Sequence, residues 1–138
     1  MTQGVLVDAG PLIAVISRDD PDHGRCVAAL KRLRGPLLTT WMPVTEAMYL
    51  LAFSKEGQEA LLEMIERGAL HILSINEDDL PSIRSLLRKY TDLPMDFADA
   101  TLVHVAIRER LREIFTLDRR DFSIYRLGPR KGFSIVPD

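Results

Sequence analysis

The sequence predicts an α/β domain spanning residues 1–138, with a mainly parallel central sheet and helices on both faces. Three observations predict it. Apolar runs alternate with amphipathic helical segments in the order strand, helices, strand, helices, strand, helix, helix, strand, strand. Alternation of this kind places crossover helices between parallel strands. The 138 residues, with 46% hydrophobic and 28% charged, suit one core of ordinary globular make-up. Acids follow several of the apolar runs, at the strand ends where open α/β sheets build their sites.

Residues 4–7 form an apolar strand that ends on Asp8. Gly10 allows a turn, and Pro11 suits the first position of a short helix carrying Leu12, Ile13, Val15 and Ile16. After the polar turn 18–24, residues 23–34 make an amphipathic helix with Cys26, Val27, Leu30 and Leu33 on one side, stopped by Gly35 and Pro36. Residues 37–41 are the second strand. Pro43 starts a third helix, with Glu46 one turn in and Ala47, Tyr49, Leu50, Leu51 and Phe53 following. Residues 58–67 form another amphipathic helix, stopped by Gly68. Residues 70–75 alternate as a strand, with His71 at its edge or end.

Asn76 caps a helix that reaches Tyr90 and turns Leu80, Ile83, Leu86 and Leu87 inward; residues 91–95 are a loop. The next helix is mostly apolar, through Phe97, Ala100, Val103, Val105, Ala106 and Ile107, and so packs against a core. Asp96 stands at its N-cap, where a negative charge suits the helix dipole. Asp99 lies one turn further on the same face. A strand at 114–117 runs into Asp118, with Asp121 shortly after. A basic turn at 128–132 precedes a last strand at 133–136.

Composition narrows the function classes. With 18 basic and 20 acidic residues the net charge is -2, so the chain as a whole does not attract nucleic acid. All the basic residues except Lys31, Lys55, Lys89 and Lys131 are Arg, the side chain preferred for bidentate phosphate and carboxylate contacts. The single cysteine, Cys26, sits on an apolar helical face; it allows no internal disulfide and points to a cytoplasmic protein. The apolar stretch near the N-terminus lacks a basic lead and is broken by Asp8 and Pro11, so it is neither a signal peptide nor a membrane span.

The acids at strand exits and early helical turns are Asp8, Glu46, Asp96, Asp99, Asp118 and Asp121. Carboxylates converging on one sheet end repel one another unless a cation neutralises them. A hard divalent ion, Mg²⁺ or Mn²⁺, suits such oxygen ligands, and zinc does not, because no Cys/His cluster has ligand spacing. Carboxylate-held metal is a recurring solution for phosphodiester hydrolysis. No glycine-rich phosphate loop suggests use of a nucleoside triphosphate.

Four stretches, VLVDAGPLIAV, TEAMYLL, PMDFADATLVHVA and IFTLDRRDFSIYR, resemble the acidic motifs of PIN-domain ribonucleases, above all the VapC-type toxins of type II toxin–antitoxin pairs. The likeness covers essentially the whole chain, and four motifs in this order are specific to the family. The resemblance implies a PIN-like three-layer α/β/α fold and endonucleolytic cleavage of single-stranded RNA. It implies Asp8, Glu46, Asp99 and Asp118 as catalytic acids. Asp8, Asp99 and Asp118, accompanied by Asp96, would hold Mg²⁺ or Mn²⁺. Thr116 matches the small hydroxyl residue before the fourth acid and would orient a ligand or water. Asp121 precedes the Phe122 that ends the motif and is a further candidate. Arg119, Arg120 and Arg126 are candidates for RNA contact. A homodimer and a cognate antitoxin covering the cleft are also implied. One departure stands out: Ala9-Gly10 follows the first acid where the family often carries Ser, Thr or Asn, which removes a possible hydrogen bond to the ligands.

Two readings within the same fold compete with the toxin: a stand-alone RNA-processing nuclease, and a binding scaffold that has lost catalysis. Loss of an acid marks the scaffold, and all four are present. A haloacid-dehalogenase-type phosphatase needs an acid two residues after Asp8, where Gly10 stands. A phospho-acceptor receiver needs an acidic pair and a later Lys in a pattern the chain lacks.

Overall fold

The computed structural model describes residues 4–138. In chain order its first half contains β1 (Val5–Val7), α1 (Ala9–Ile16), α2 (His23–Arg32), β2 (Leu37–Thr39), α3 (Trp41–Leu50), α4 (Lys55–Glu66) and β3 (Leu70–Ile72). A 3₁₀ turn (Glu77–Asp79) leads into α5 (Leu80–Lys89) and α6 (Phe97–Glu109). Then come β4 (Glu113–Phe115), α7 (Arg119–Phe122), β5 (Arg126–Gly128), β6 (Lys131–Gly132) and β7 (Ser134–Val136).

Five strands form one sheet in the order β3-β2-β1-β4-β7, and every neighbouring pair is parallel. The register is set by apolar pairs such as Leu6 with Leu38 and with Ile114, and Ile114 with Ile135. Because successive side chains point to opposite faces, β1 feeds both cores. Val5 and Val7 join Leu12, Ala29, Ala47 and Leu61 on the face covered by α1 to α4. Leu6 joins Ile83, Leu102, Val103 and Phe122 on the face covered by α5, α6 and α7. The result is the expected three-layer α/β/α arrangement, with all carboxyl ends of the sheet strands on one edge. Among the described residues no helix is long and apolar enough to cross a membrane.

Several boundaries differ from the sequence expectation. Trp41 belongs to α3 rather than to the second strand, because Thr40 stays extended as its N-cap and Pro43 fits the first turn, where no amide partner is needed. Residues 73–75 leave the sheet. The helix expected from Asn76 opens as the 3₁₀ turn, in which the Asp79 carboxylate accepts hydrogen bonds from Asn76 N (2.9 Å), His104 Nε2 (2.7 Å) and Arg108 Nη1 (3.2 Å). Those bonds, the Asn76 amide first, draw its carboxyl down to about 2 and clamp α5 to α6. The basic turn after Gly128 is the end of a small antiparallel hairpin, β5–β6, outside the main sheet. The stretch after Asp118 is a single helical turn, α7.

Candidate metal and active site

The parallel sheet explains why distant acids meet. Asp8 leaves β1 and caps α1, its Oδ1 accepting from Ala9 N at 2.8 Å. Asp118 leaves β4, the neighbouring strand, and caps α7, its Oδ1 accepting from Asp121 N at 3.1 Å. Thr116, fully buried between them, donates from Oγ1 to Asp8 Oδ2 (2.9 Å) and accepts from Asp118 N (3.0 Å). One hydroxyl thus fixes the first and fourth acids relative to each other. Asp96 and Asp99 cap α6 reciprocally: Asp99 N donates to Asp96 Oδ1 at 2.8 Å, and Asp96 N donates to Asp99 Oδ2 at 3.3 Å. Glu46 reaches the same space from α3.

All six acids line one open cavity of about 530 Å³, together with Gly10, Pro94 and Leu117. Among the described residues no basic side chain lines it. Burial pushes the Asp8 carboxyl above its usual range; hydrogen bonds from Ala9 and Thr116 oppose this, and the charges of Asp118 and Asp96 add to it. Asp99 is pushed up to about 8, by burial first and then by the charges of Asp96 and Asp8. Burial and the charges of Asp8 and Asp96 raise Glu46. Asp121 is raised by desolvation and by Asp118.

The donor set fits a hard divalent cation: carboxylate oxygens, no thiolate, no imidazole, and a mutual repulsion that a bound cation relieves. Among the described residues no three acids are already gathered about one point at ligand distance. A ring this open suits an ion that keeps several of its waters, as Mg²⁺ does. Of the two residues that depart from the family pattern, Ala9 is buried and Gly10 lines the cavity. A Cβ at Gly10 would stand 3.4 Å from Leu117 Cδ1, so the glycine keeps that wall of the cavity low.

None of the candidate RNA-contacting arginines lines the cavity, although the charge of Arg120 acts on Asp121. Arg119 Nη1 donates to Pro137 O at 2.7 Å, and Arg126 Nη1 donates to Ser123 O at 2.8 Å. Arg120 is exposed on α7. Sequence reasoning missed three hydroxyls that brace the site from below. Thr39 Oγ1 donates to Val7 O at 2.7 Å, and Thr40 Oγ1 meets Thr101 Oγ1 at 2.8 Å, tying the start of α3 to α6. The signal available was the Thr39-Thr40 pair at a strand exit, a position where hydroxyls find backbone or helix partners.

Thr116→Val removes the shared hydroxyl and changes little else. The buried Asp8 oxygen and Asp118 amide each lose a partner, which destabilises the fold by about 1–3 kcal/mol. Calorimetric titration with Mg²⁺ is expected to show a roughly 10–100-fold weaker affinity. Unchanged affinity would separate Thr116 from the site.

Comparison with known proteins agrees with this architecture. The PIN domain family model matches residues 5–127. Ribonuclease VapC26 of Mycobacterium tuberculosis is 28% identical over 135 residues, covering 96% of this chain and all of that protein. The crystal structure of M. tuberculosis VapC20, described as a sarcin-ricin loop cleaving toxin, superposes with a TM-score of 0.77 at 15% identity, over 84% of this chain and 91% of that one. A toxin–antitoxin complex from Klebsiella pneumoniae contains a chain that superposes with a TM-score of 0.68 at 20% identity, over 96% of both chains. With four acidic motifs carried to one edge of a parallel five-stranded sheet, and a family match over most of its length, the chain belongs to the PIN domain family.

Proposed function

We propose that the protein is a divalent-metal-dependent endoribonuclease and the toxin of a toxin–antitoxin pair. The observation that carries the chemistry is the convergence of six carboxylates on one cavity, where burial first, and then the charges of Asp96 and Asp8, push Asp99 up to about 8. The RNA target and the antitoxin are supported by the relatives, one named a ribonuclease and others a toxin and a toxin–antitoxin complex.

In this reading Asp8, Asp99 and Asp118 would hold Mg²⁺ or Mn²⁺, with Asp96 at the edge of the ring, and the bound ion would supply charge against the phosphate and a lowered pKa for water. Thr116 holds Asp8 and Asp118 at fixed separation, which limits reorganisation during the reaction. Glu46, which reaches the cavity from α3, would orient the water. Asp121, bonded through its amide to Asp118, sets the rotamer of that ligand. A protein partner is supported by the exposed apolar side chains Trp41, Tyr49, Leu50 and Phe53 on and just after α3, more than a lone soluble helix face needs. Dimerisation through such a face is tested by light scattering.

The test of function is cleavage of total cellular RNA by purified protein with Mg²⁺, Mn²⁺ or EDTA. Cutting is expected with either metal and not with EDTA. Asp8→Asn is expected to keep the fold and lose at least about 10³-fold in rate. Full activity in that variant would overturn the proposal.

A further inference from the structure

We propose that a cationic cavity at the far end of α6 binds phosphates of the RNA strand remote from the scissile bond. The cavity, of about 500 Å³, is bordered by Arg110, Arg112 and Lys131, with Ile107, Leu111 and Leu127 as an apolar wall. All three cations are exposed. Among the described residues none of them has a carboxylate partner, whereas Arg25, Arg67 and Arg108 do. Arg112 donates from Nε to Gly132 O at 3.3 Å, which ties it to the β5–β6 hairpin beside Lys131. Among the described residues no acid lines the cavity.

A helix C-terminus attracts basic residues through its dipole, and Arg110 stands at the end of α6. Arg112 and Lys131 come from other segments, so the dipole does not account for them. An anion does. The occupant must also suit an apolar wall, as a ribose or base does beside its phosphate.

This inference rests on the nuclease reading and deepens it. A ring of six acids repels a polyanion, and the net charge of the chain is -2. Affinity for RNA therefore has to come from cations outside the ring. Arg119 and Arg126 bond backbone carbonyls, as Arg112 does, and Arg120 stands exposed on α7 beside Asp121; the group at the end of α6 adds three further cations on one cavity. The same helix that begins with Asp96 and Asp99 ends at Arg110, and its 13 residues span about 20 Å. The middle of that helix is buried beneath its neighbours, so only a strand of several nucleotides passing over the elements that cover it occupies both the acid ring and the cavity.

The test measures binding, in EDTA and in an Asp99→Asn background, of a single-stranded RNA of about 20 nucleotides and one of about three. The variant is Arg110→Asn, Arg112→Gln and Lys131→Gln combined; Asn tolerates the left-handed backbone at position 110. Its affinity for the long RNA is expected to fall, and the slope of log K against log salt to shrink by about 2, with the short RNA unaffected. A charge-retaining variant, Arg110→Lys, Arg112→Lys and Lys131→Arg, is expected to bind as the parent does. Unchanged long-RNA binding in the neutral variant overturns the inference. Equal loss in the charge-retaining variant also does, since packing would then be the cause. Loss of binding to poly-glutamate with RNA binding intact would reassign the cavity to an acidic protein segment and overturn it. If the long-RNA effect holds but the unmodified protein never cuts RNA, the cavity stands and the nuclease reading falls. If RNA is cut while the neutral variant binds normally, the reverse follows.

Discussion

Asp99→Asn is expected to raise the melting temperature of the metal-free protein while reducing metal-dependent cleavage at least about 10³-fold. Asp99 ionises near 8 in the folded chain, against 3.8 for the ordinary side chain. A carboxyl whose folded pKa is raised binds its proton more tightly in the native state. Stability from that proton is intact below the unfolded pKa and is lost progressively as the pH rises from about 4 to 8. Asn carries no charge and keeps an oxygen for the Asp96 amide, so the α6 cap survives. The gain in stability should therefore grow across that window. Asp99 is partly exposed and solvent screens much of the repulsion, which leaves about 1–2 kcal/mol at pH 8. That corresponds to a rise of roughly 4 °C or more. Melting curves in EDTA at pH 5 and pH 8 check it. Saturating Mg²⁺ should erase the advantage, because the cation relieves the same repulsion in the parent. Mg²⁺ binding to the parent near pH 7 should also release protons, measurable by calorimetry in buffers of different ionisation heat. Equal melting of variant and parent at both pH values would show that the acids are not under mutual strain.

Phe122→Ala is expected to be the most damaging single substitution among those near the site. Phe122 is fully buried, with its ring edge-on to Tyr125 at 5.1 Å and to Phe133 at 5.5 Å. Truncating such a ring costs about 3–5 kcal/mol, a large share of the 5–15 kcal/mol typical of a domain. The consequence reaches the site, because Phe122 ends α7, whose first residues follow Asp118 and include Asp121. Without the ring the turn loses its anchor in the core. Mg²⁺ affinity should then weaken even at temperatures where the chain stays folded. Arg120→Ala, on the exposed side of the same turn, should change stability by no more than about 0.5 kcal/mol. Thermal melts and calorimetric titration of the two variants decide it. Parent-like melting of Phe122→Ala would mean that α7 is held by something other than its aromatic contacts.

The elements that carry the acids were legible because their signals are local. Apolar runs before Asp8 and Asp118, and a cap-like acid before the apolar face of α6, lie within a few residues of what they specify. Helical period and capping chemistry act over one or two turns, so a linear reading finds them. Assigning Glu46 and Thr116 roles needed the likeness to the PIN family as well. Spacing alone makes Glu46 a charge early in a helix and Thr116 a strand residue.

Local pattern therefore settles the α/β class, the parallel connectivity and the set of acids at strand exits. The strand order β3-β2-β1-β4-β7 emerges only from packing; it makes β1 and β4 neighbours and so lets Thr116 reach Asp8, 108 residues away, while it also holds Asp118. The Thr40–Thr101 bond, the β5–β6 hairpin and the backbone bonds of Arg119 and Arg126 belong to the same group. The physical reason is that apolar strands are interchangeable as far as local pattern goes. Their order follows from which helices can cover both sheet faces, and side-chain partners across the sheet exist only once that packing is complete.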